Sequence, residues 1–295
     1  MTRTPVRRPP LAERAAELRR LAKNGHWNDL GRDQVAALLI DDWSGAGPLR
    51  FTDTLTLREL RGSVMLRNVR ALLRLAGRRG SIPEVVASPA PFRLEQTAPL
   101  PGFCRRVRTG LRLASGPLVD PLYWTEGLMV AAGLIGPVPG GFTLRPLGSE
   151  LLAPRHAGRL YAHLFRTYFR VFDIAYIDPF PSMPVIQDLV PYWLAILMDH
   201  VPAALRADYF VQVFTPDPVR LDAAAAPARL RALVQTRVFD ALADFGLMEV
   251  VAGDDRQVEL GDVRFRATPL FARFLRLELP PSESRLWRRH LSLLR

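Results

Sequence analysis

The spacing of apolar residues predicts that most of the chain is helical. The clearest case is residues 63–76, where apolar side chains recur every three or four positions, as they do along one side of an α-helix. The arginines of this segment recur at the same spacing and therefore share a face. Weaker versions of the period predict helices over residues 11–22, 33–43, 103–114, 121–132 and 228–245.

Residues 1–10 carry three prolines and three arginines without apolar periodicity, and we expect a flexible arm there. Two later segments have the pattern of a β-hairpin. In the first, the short apolar runs 133–135 and 142–145 flank a turn rich in proline and glycine. In the second, polar and apolar residues alternate over residues 256–266.

The two hairpins belong to an internal repeat. The sequence FTLRPLGSELL, which begins at Phe142, has a counterpart in FRATPLFARFL, which begins at Phe265. Aligning Pro146 with Pro269 places the two phenylalanines at equivalent positions, and the second hairpin is about ten residues longer. A helix that ends on glycine, a hairpin, and a proline at the start of the next helix therefore occur twice in the same order.

This order resembles the winged-helix family, whose last strand often reads apolar-Leu-Thr-Pro-Leu-Gly before a terminal helix. The first copy has Arg145 where the family has threonine, and the second has Phe271 where it has glycine. The resemblance covers residues 60–155 and 226–280. The chain is also loosely similar to uncharacterised bacterial, partly plasmid-borne open-reading-frame proteins, a group that implies no assigned activity.

We therefore predict a mainly α fold with small β wings, in which two winged-helix-like units are joined by a helical, aromatic-rich middle segment. The predicted divisions are an N-terminal basic arm with helices (1–56), the first winged-helix-like unit (57–155), the acidic, aromatic-rich segment (156–225), and the second unit with a basic C-terminal tail (226–295). The aromatic side chains of the middle segment are expected to form core.

Composition narrows the class of partner. The formal net charge is +11, and residues 57–112 carry twelve arginines against three glutamates, a local balance of +9. Because basic proteins attract nucleic acid at neutral pH, DNA is the expected partner. The single cysteine, Cys104, excludes an internal disulfide, and no apolar run of about 20 residues predicts a membrane span. We expect a cytoplasmic protein that does not bind membranes.

The arginines in and after the predicted helix at 63–76 are the first candidate site. They are Arg67, Arg70, Arg74, Arg78 and Arg79. A ridge of this kind would follow DNA phosphates, with an affinity that is independent of sequence and sensitive to salt. The alternative is a solvated helix face in a chain that has only one lysine, Lys23. The local charge leaves both interpretations open.

In winged-helix proteins the helix before the wing commonly reads the bases of DNA. In the first unit, residues 118–132 contain no arginine or lysine and make a poor reader. In the second unit, residues 228–244 contain side chains that can pair with base edges, and the wing adds two arginines. The candidates are Arg229, Arg231, Gln235, Thr236 and Arg237 on the helix, with Arg264 and Arg266 on the wing. The alternative is an exposed, solvated helix face.

The sequence contains no familiar catalytic motif. It lacks a phosphate loop, a dinucleotide glycine fingerprint, a His-Glu-x-x-His motif and a Gly-x-Ser-x-Gly elbow. His156 and His163 lie two helical turns apart and would need Asp173 or Asp178 to complete a metal site, but helical histidines near aromatic residues more often bond within the core. We expect no catalytic residues, no metal and no cofactor.

Two main hypotheses about function follow. The leading one is a protein that binds nucleic acid, double-stranded DNA in the first place, as a regulator or as an accessory factor of a mobile element. The main rival is a tandem winged-helix subunit that binds other proteins, or a second copy of itself, in a larger complex. The apolar helix at 121–132 favours the rival, because it suits a partner surface better than a base-reading one. An enzyme without a familiar motif is the third hypothesis.

Overall fold

The computed structural model describes residues 7–25, 27, 30–83, 103, 121–177, 182–199, 204–216, 227–251 and 263–279 of the 295-residue chain. The protein is mainly helical, with small antiparallel sheets and an aromatic cluster in its middle. The helices are α1 (Leu11–Asn24), α2 (Arg32–Leu39), α3 (Val64–Arg79), α4 (Pro121–Ala131), α5 (Pro146–Leu151), α6 (Ala157–Arg166), α7 (Pro184–Asp188), α8 (Val190–Asp199), α9 (Ala207–Phe214), α10 (Pro227–Val234), α11 (Asp240–Asp244) and α12 (Pro269–Phe274).

Two of the helices run on through π-helical turns. Helix α6 continues over Thr167–Val171 and is followed by a 3-10 turn at Ile174–Ile177. Helices α10 and α11 are joined into one by the π-helical turn Gln235–Phe239. A further 3-10 turn, Pro154–His156, precedes α6.

The strands form three small antiparallel sheets. They are β1 (Leu49–Phe51), β2 (Ile82–Pro83), β3 (Ile135–Val138), β4 (Gly141–Leu144), β5 (Leu205–Arg206), β6 (Met248–Val251), β7 (Arg264–Ala267) and β8 (Leu275–Leu277). The sheet orders are β1-β8, β2-β4-β3 and β5-β7-β6. The last two have the same topology: a two-residue strand pairs with the second strand of a hairpin.

The register of these two sheets confirms the alignment made from the sequence. Phe142 in β4 lies opposite Ile82 in β2, and Phe265 in β7 lies opposite Leu205 in β5. The repeat therefore extends to a short strand that precedes each long helix. In the second copy this strand lies before residue 226, where the sequence placed the start of the second unit.

Each copy also ends its long helix in the same way. Gly133 and Gly246 both have positive φ, 69° and 77°, a conformation that favours glycine. The N–H of the next residue, Leu134 or Leu247, donates to the carbonyl five positions earlier, at 2.9 and 2.8 Å. This is the Schellman arrangement, which pairs a terminal carbonyl of the helix and turns the chain into the hairpin.

The aromatic residues of α6 and its π-helical continuation form the centre of the core. Phe165 and Phe169 are fully buried. The Phe165 ring packs against Trp43 from the N-terminal part, and against Phe245 and Phe274 from the second copy, with centroids 5.1–5.6 Å apart. The prediction that the aromatic middle segment is core is confirmed.

Helix α6 also binds the ends of the long helices in both copies. The His163 ring Nε2 lies 2.8 Å from the carbonyl of Ala132, and the Tyr161 hydroxyl donates to the carbonyl of Phe245, also at 2.8 Å. Ala132 and Phe245 are equivalent, since each immediately precedes the glycine that ends its helix. Burial raises the pKa of Tyr161, so its phenol keeps the proton that it donates. One helix therefore holds the two copies at matching points.

A second contact joins the copies at the start of α3. The Ser63 hydroxyl accepts a hydrogen bond from the N–H of Leu66, which caps α3, and donates to the carbonyl of Asp244 at 3.3 Å. Gly246 lies so close to this turn that a Cβ atom there would be 3.1 Å from the backbone of Gly62 and Ser63. The beginning of α3 therefore packs directly on the end of α11.

The structure differs from the sequence prediction at the N-terminus. From Arg7 onward the arm is not free, because Arg7 forms a β-bridge with Phe172 and the N–H of Arg8 donates to Val171 at 3.0 Å. Helix α2 ends at Leu39 instead of residue 43, since the Asp41 carboxylate accepts backbone N–H groups of the next turn. The predicted helix at 103–114 lies outside the described residues except for Phe103, as does the chain beyond residue 279.

We predict that Tyr161→Phe lowers the free energy of unfolding by about 1–2 kcal/mol, because it leaves the buried Phe245 carbonyl without this donor. Urea unfolding followed by circular dichroism measures the change. The matched control is Tyr209→Phe, since Tyr209 is 51% exposed, and it should stay within about 0.5 kcal/mol of wild type. Equal stability of both variants would contradict a bonding role for Tyr161.

We also predict that Gly246→Ala destabilises the protein more than Gly133→Ala. Both changes place an alanine in the left-handed region, at about 1 kcal/mol each. Only Gly246→Ala pushes a methyl group against the Gly62 and Ser63 backbone, which adds about 1 kcal/mol or more, whereas nothing lies within 4 Å of a Cβ at Gly133. The same unfolding assay compares them, and indistinguishable values would argue against the close contact.

Candidate nucleic-acid interface

Helix α3 carries four exposed arginines, and the first three of them form a stripe along its outer face. They are Arg67, Arg74, Arg78 and Arg79. At 100° and 1.5 Å per residue, Arg67, Arg74 and Arg78 lie within roughly 40° of one another around the helix and span about 16 Å along it. Arg78 and Arg79 also suit the C-terminal end of the helix dipole, whereas Arg67 and Arg74 gain nothing from it. The stripe is therefore more than a helix-stabilising pattern.

These arginines have no acidic partner among the described residues, unlike several exposed arginines elsewhere in the chain. Arg159 pairs with Glu150 at 2.9 Å, Arg266 bonds to Glu249 at 2.8 Å, and Arg273 contacts Glu59. Within the described ranges, none of the four α3 arginines takes part in a salt bridge. Their charge is left for an outside partner.

Arg70 does not belong to this stripe, although the sequence placed it there. It lies about 60° around the helix from Arg67, on the side of the apolar residues, and is only 4% exposed. Burial, followed by the charge of Arg74, lowers the pKa of Arg70. The spacing of three and four residues correctly predicted the helix. It does not show whether a residue such as Arg70 lies in the middle of the exposed face or at its buried edge.

The first hairpin lies beside the end of α3. The Thr143 hydroxyl in β4 donates to the carbonyl of Gly80 at 2.9 Å, which ties the wing to the residue after α3. Arg145, directly after β4, is exposed and reaches across the hairpin to Gly136. In the sequence, Arg145 stands out only as a departure from the winged-helix pattern. An arginine in place of the usual threonine could have indicated that the first hairpin adds a further positive charge beside the stripe.

Helix α4, which corresponds to the base-reading helix of the first unit, is buried. Thr125 and Glu126, its polar side chains, are 0% and 4% exposed. The partly exposed Tyr123 stacks on Tyr176 with ring centroids 4.9 Å apart. The described side chains of this helix are therefore not presented to base edges, in agreement with the absence of arginine and lysine from its sequence.

The corresponding helix of the second unit requires a correction. Gln235, Thr236 and Arg237 are 1%, 0% and 0% exposed, so none of them is presented to DNA. The π-helical turn that contains them packs against Ile174–Ile177, and the Tyr168 hydroxyl donates to the Arg237 carbonyl at 3.4 Å. We withdraw these residues from the candidate interface.

The remaining candidates of the second unit stay at the surface. Arg229 is exposed and Arg231 is half-buried near the start of the same helix. Arg264 and Arg266 are exposed on β7, but Arg266 bonds to Glu249 across the hairpin. The described structure therefore offers one unpaired arginine stripe, on α3, and more scattered cations in the second unit.

The two histidines considered for a metal site bond to the backbone. His156 Nδ1 lies 2.9 Å from the Glu150 carbonyl, and His163 is engaged with Ala132. Asp173 accepts the N–H of Ala175 at 3.0 Å, and Asp178 is outside the described residues. In the part of the chain that the structure describes, no three His, Cys, Asp or Glu side chains are grouped as metal ligands would be.

Comparison with known proteins adds no relative. No family model matches the chain, and neither does any curated protein or solved structure. Among the described helices, none combines the length and the apolar character needed to cross a membrane.

Arg237→Ala should lower the stability of the protein without changing any preference for a DNA sequence. Truncating a long side chain that is 0% exposed leaves a cavity and costs about 2–5 kcal/mol. The exposed Arg229, on the same helix, is the control, and its alanine variant should unfold within about 0.5 kcal/mol of wild type. Thermal unfolding and binding to duplexes of different sequence test this. An Arg237→Ala protein of normal stability with altered sequence preference would restore the base-reading hypothesis.

Proposed function

We propose that the protein binds double-stranded DNA through its phosphate backbone, with the arginine stripe of α3 as the contact surface. The observation that carries this proposal is the set of four exposed α3 arginines without an acidic partner among the described residues. Guanidinium groups form charge-assisted, often bidentate hydrogen bonds with phosphate oxygens. A stripe of about 16 Å is long enough to contact several phosphates of one strand.

We propose further that the two repeats are winged-helix-like units. The support is the equivalent strand order of the two sheets, the helix that precedes each hairpin, and the proline at the start of the helix after it. Thr125 and Glu126 of the first unit, and Gln235, Thr236 and Arg237 of the second, lie in the interior, although Arg229 is exposed. The binding is therefore electrostatic and independent of base sequence, as suits an accessory factor better than a regulator of one operator.

We predict that wild-type protein binds duplexes of unrelated sequence equally, and that its affinity falls steeply with salt. Each neutralised phosphate contributes about −0.9 to the slope of log K against log salt. The double variant Arg67→Ala/Arg74→Ala should reduce that slope by about 2 and weaken binding to every duplex alike. Fluorescence anisotropy at several salt concentrations measures both.

The matched control is Arg159→Ala/Arg266→Ala, which changes the net charge by the same amount but removes arginines that are paired with acids. It should keep the wild-type slope within about half a unit. The proposal is wrong if wild type does not bind duplex at low salt, or if the two double variants lose affinity equally.

The second candidate is a subunit that binds other proteins or a second copy of itself. One observation favours it: most of α4 and residues 232–244 of the second long helix are buried within the chain, where a base-reading protein would expose them. The salt titration separates the two candidates. Absence of duplex binding at low salt, in spite of the net charge of +11, would leave the interaction subunit as the better proposal.

A further inference from the structure

The N-terminal segment brings buried arginines into the core beside α7. The Arg7 guanidinium donates to the carbonyl of Ala131 at 2.9 Å, and the Arg8 backbone N–H donates to Val171. Arg8 is consequently 8% exposed, with its guanidinium directed at Asp188. Arg14, one turn into α1, reaches the same carboxylate from the other side.

Asp188 is the only carboxylate that both arginines bind among the described residues. Its Oδ2 accepts from Arg8 Nη2 at 3.1 Å, and its Oδ1 accepts from Arg14 Nη1. Arg170, 8% exposed, is near enough for the charges of Asp188, Arg14 and Arg8 to affect its pKa. Two guanidinium groups therefore bind this carboxylate, and the charge of a third acts on it without a direct contact.

The neighbouring carboxylates of Asp41 and Asp173 accept backbone N–H groups and form no salt bridge with these arginines in the described structure. The Asp41 carboxylate accepts the backbone N–H groups of Trp43 and Leu49, at 2.8 and 3.1 Å. Asp173 accepts the N–H of Ala175. Arg170 donates hydrogen bonds from Nη2 to the carbonyls of Leu39 and Asp41.

Several guanidinium nitrogens are left without a hydrogen-bond partner in the described structure. They are Nη1 of Arg8, Nη2 of Arg14, and both Nε and Nη1 of Arg170, all buried. An unpaired buried donor on a charged group is costly, so native proteins rarely leave four such donors in neighbouring side chains without a ligand or an ordered water. Burial lowers the pKa of Arg170 to about 10, which leaves this group charged at neutral pH.

We propose that Arg8, Arg14 and Arg170 form a binding site for a small tetrahedral oxyanion, with inorganic phosphate as the simplest member of the class. The oxygens of such an ion accept hydrogen bonds in several directions and suit guanidinium nitrogens that come from different segments of the chain. The Arg14 and Asp188 side chains are each 11% exposed, so the cluster is almost closed to solvent, whereas the α3 stripe is exposed. The site is thus separate from the exposed stripe on α3.

Isothermal titration of the full chain with inorganic phosphate, at constant ionic strength set with chloride, tests the proposal. Wild type should bind one phosphate per chain, sulfate should compete with it, and phosphate should raise the unfolding temperature. Arg14→Met should weaken phosphate binding at least tenfold, because it removes one charge-assisted donor. Arg19→Met, an exposed arginine of the same helix, is the control and should bind as wild type does.

The variant Asp188→Asn should change the phosphate affinity in the opposite direction. Removing the carboxylate that competes for Arg8 and Arg14 should tighten phosphate binding severalfold, whereas a purely structural ion-pair cluster would only be destabilised. If Arg14→Met does not fold, Arg14→Lys keeps the charge but removes the forked donor and should still weaken binding. Absence of phosphate binding by wild type at millimolar concentration, or equal binding by the Arg14 and Arg19 variants, would overturn the proposal.

Discussion

The packing of the two repeats depends on how α6 binds the ends of two other helices. The last carbonyl groups of a helix have no partner within it, and a buried carbonyl left unpaired costs about 1–3 kcal/mol. Tyr161 and His163 supply this bond to equivalent carbonyls, those of Phe245 and Ala132. Residues two apart on a helix point about 200° from each other, so one helix reaches both copies at once. The aromatic packing around Phe165 follows from that placement.

The repeat was predictable from sequence because its signals are local. A glycine that ends a helix, a hairpin turn and a proline at the next helix start each act within a few residues. Aligning Pro146 with Pro269 therefore identified Phe142 and Phe265 as equivalent positions, and in the structure they lie opposite Ile82 and Leu205 of equivalent strands. The aromatic density around residue 165 likewise indicated the core, since large apolar side chains at helical spacing need a partner surface.

The exposure of individual polar side chains was not predictable in the same way. Helical spacing assigns a residue to a face, but it does not say which second element covers that face. Arg70 lies at the edge of the apolar side of α3, and Arg237 lies in a π-helical turn whose extra residue per turn rotates the side chains that follow. Whether these two side chains are exposed depends on packing against segments that are distant in sequence. For Arg237, one such segment is Ile174–Ile177.

The helix that precedes the short strand differs between the two repeats, and this difference explains why, among the described residues, one of these two helices suits a polyanion and the other does not. Helix α3 precedes β2, and α8 precedes β5 in the second copy. The exposed side of α3 carries Arg67 and Arg74, whereas α8 is apolar, with Val190 and Leu197 0% and 2% exposed. Helix α8 packs against α2, and its Tyr192 ring contacts Trp27 with centroids 4.9 Å apart. The N-terminal part of the chain thus covers α8, whereas the basic side of α3 stays exposed. Of these two helices, only α3 presents a basic stripe in the described structure.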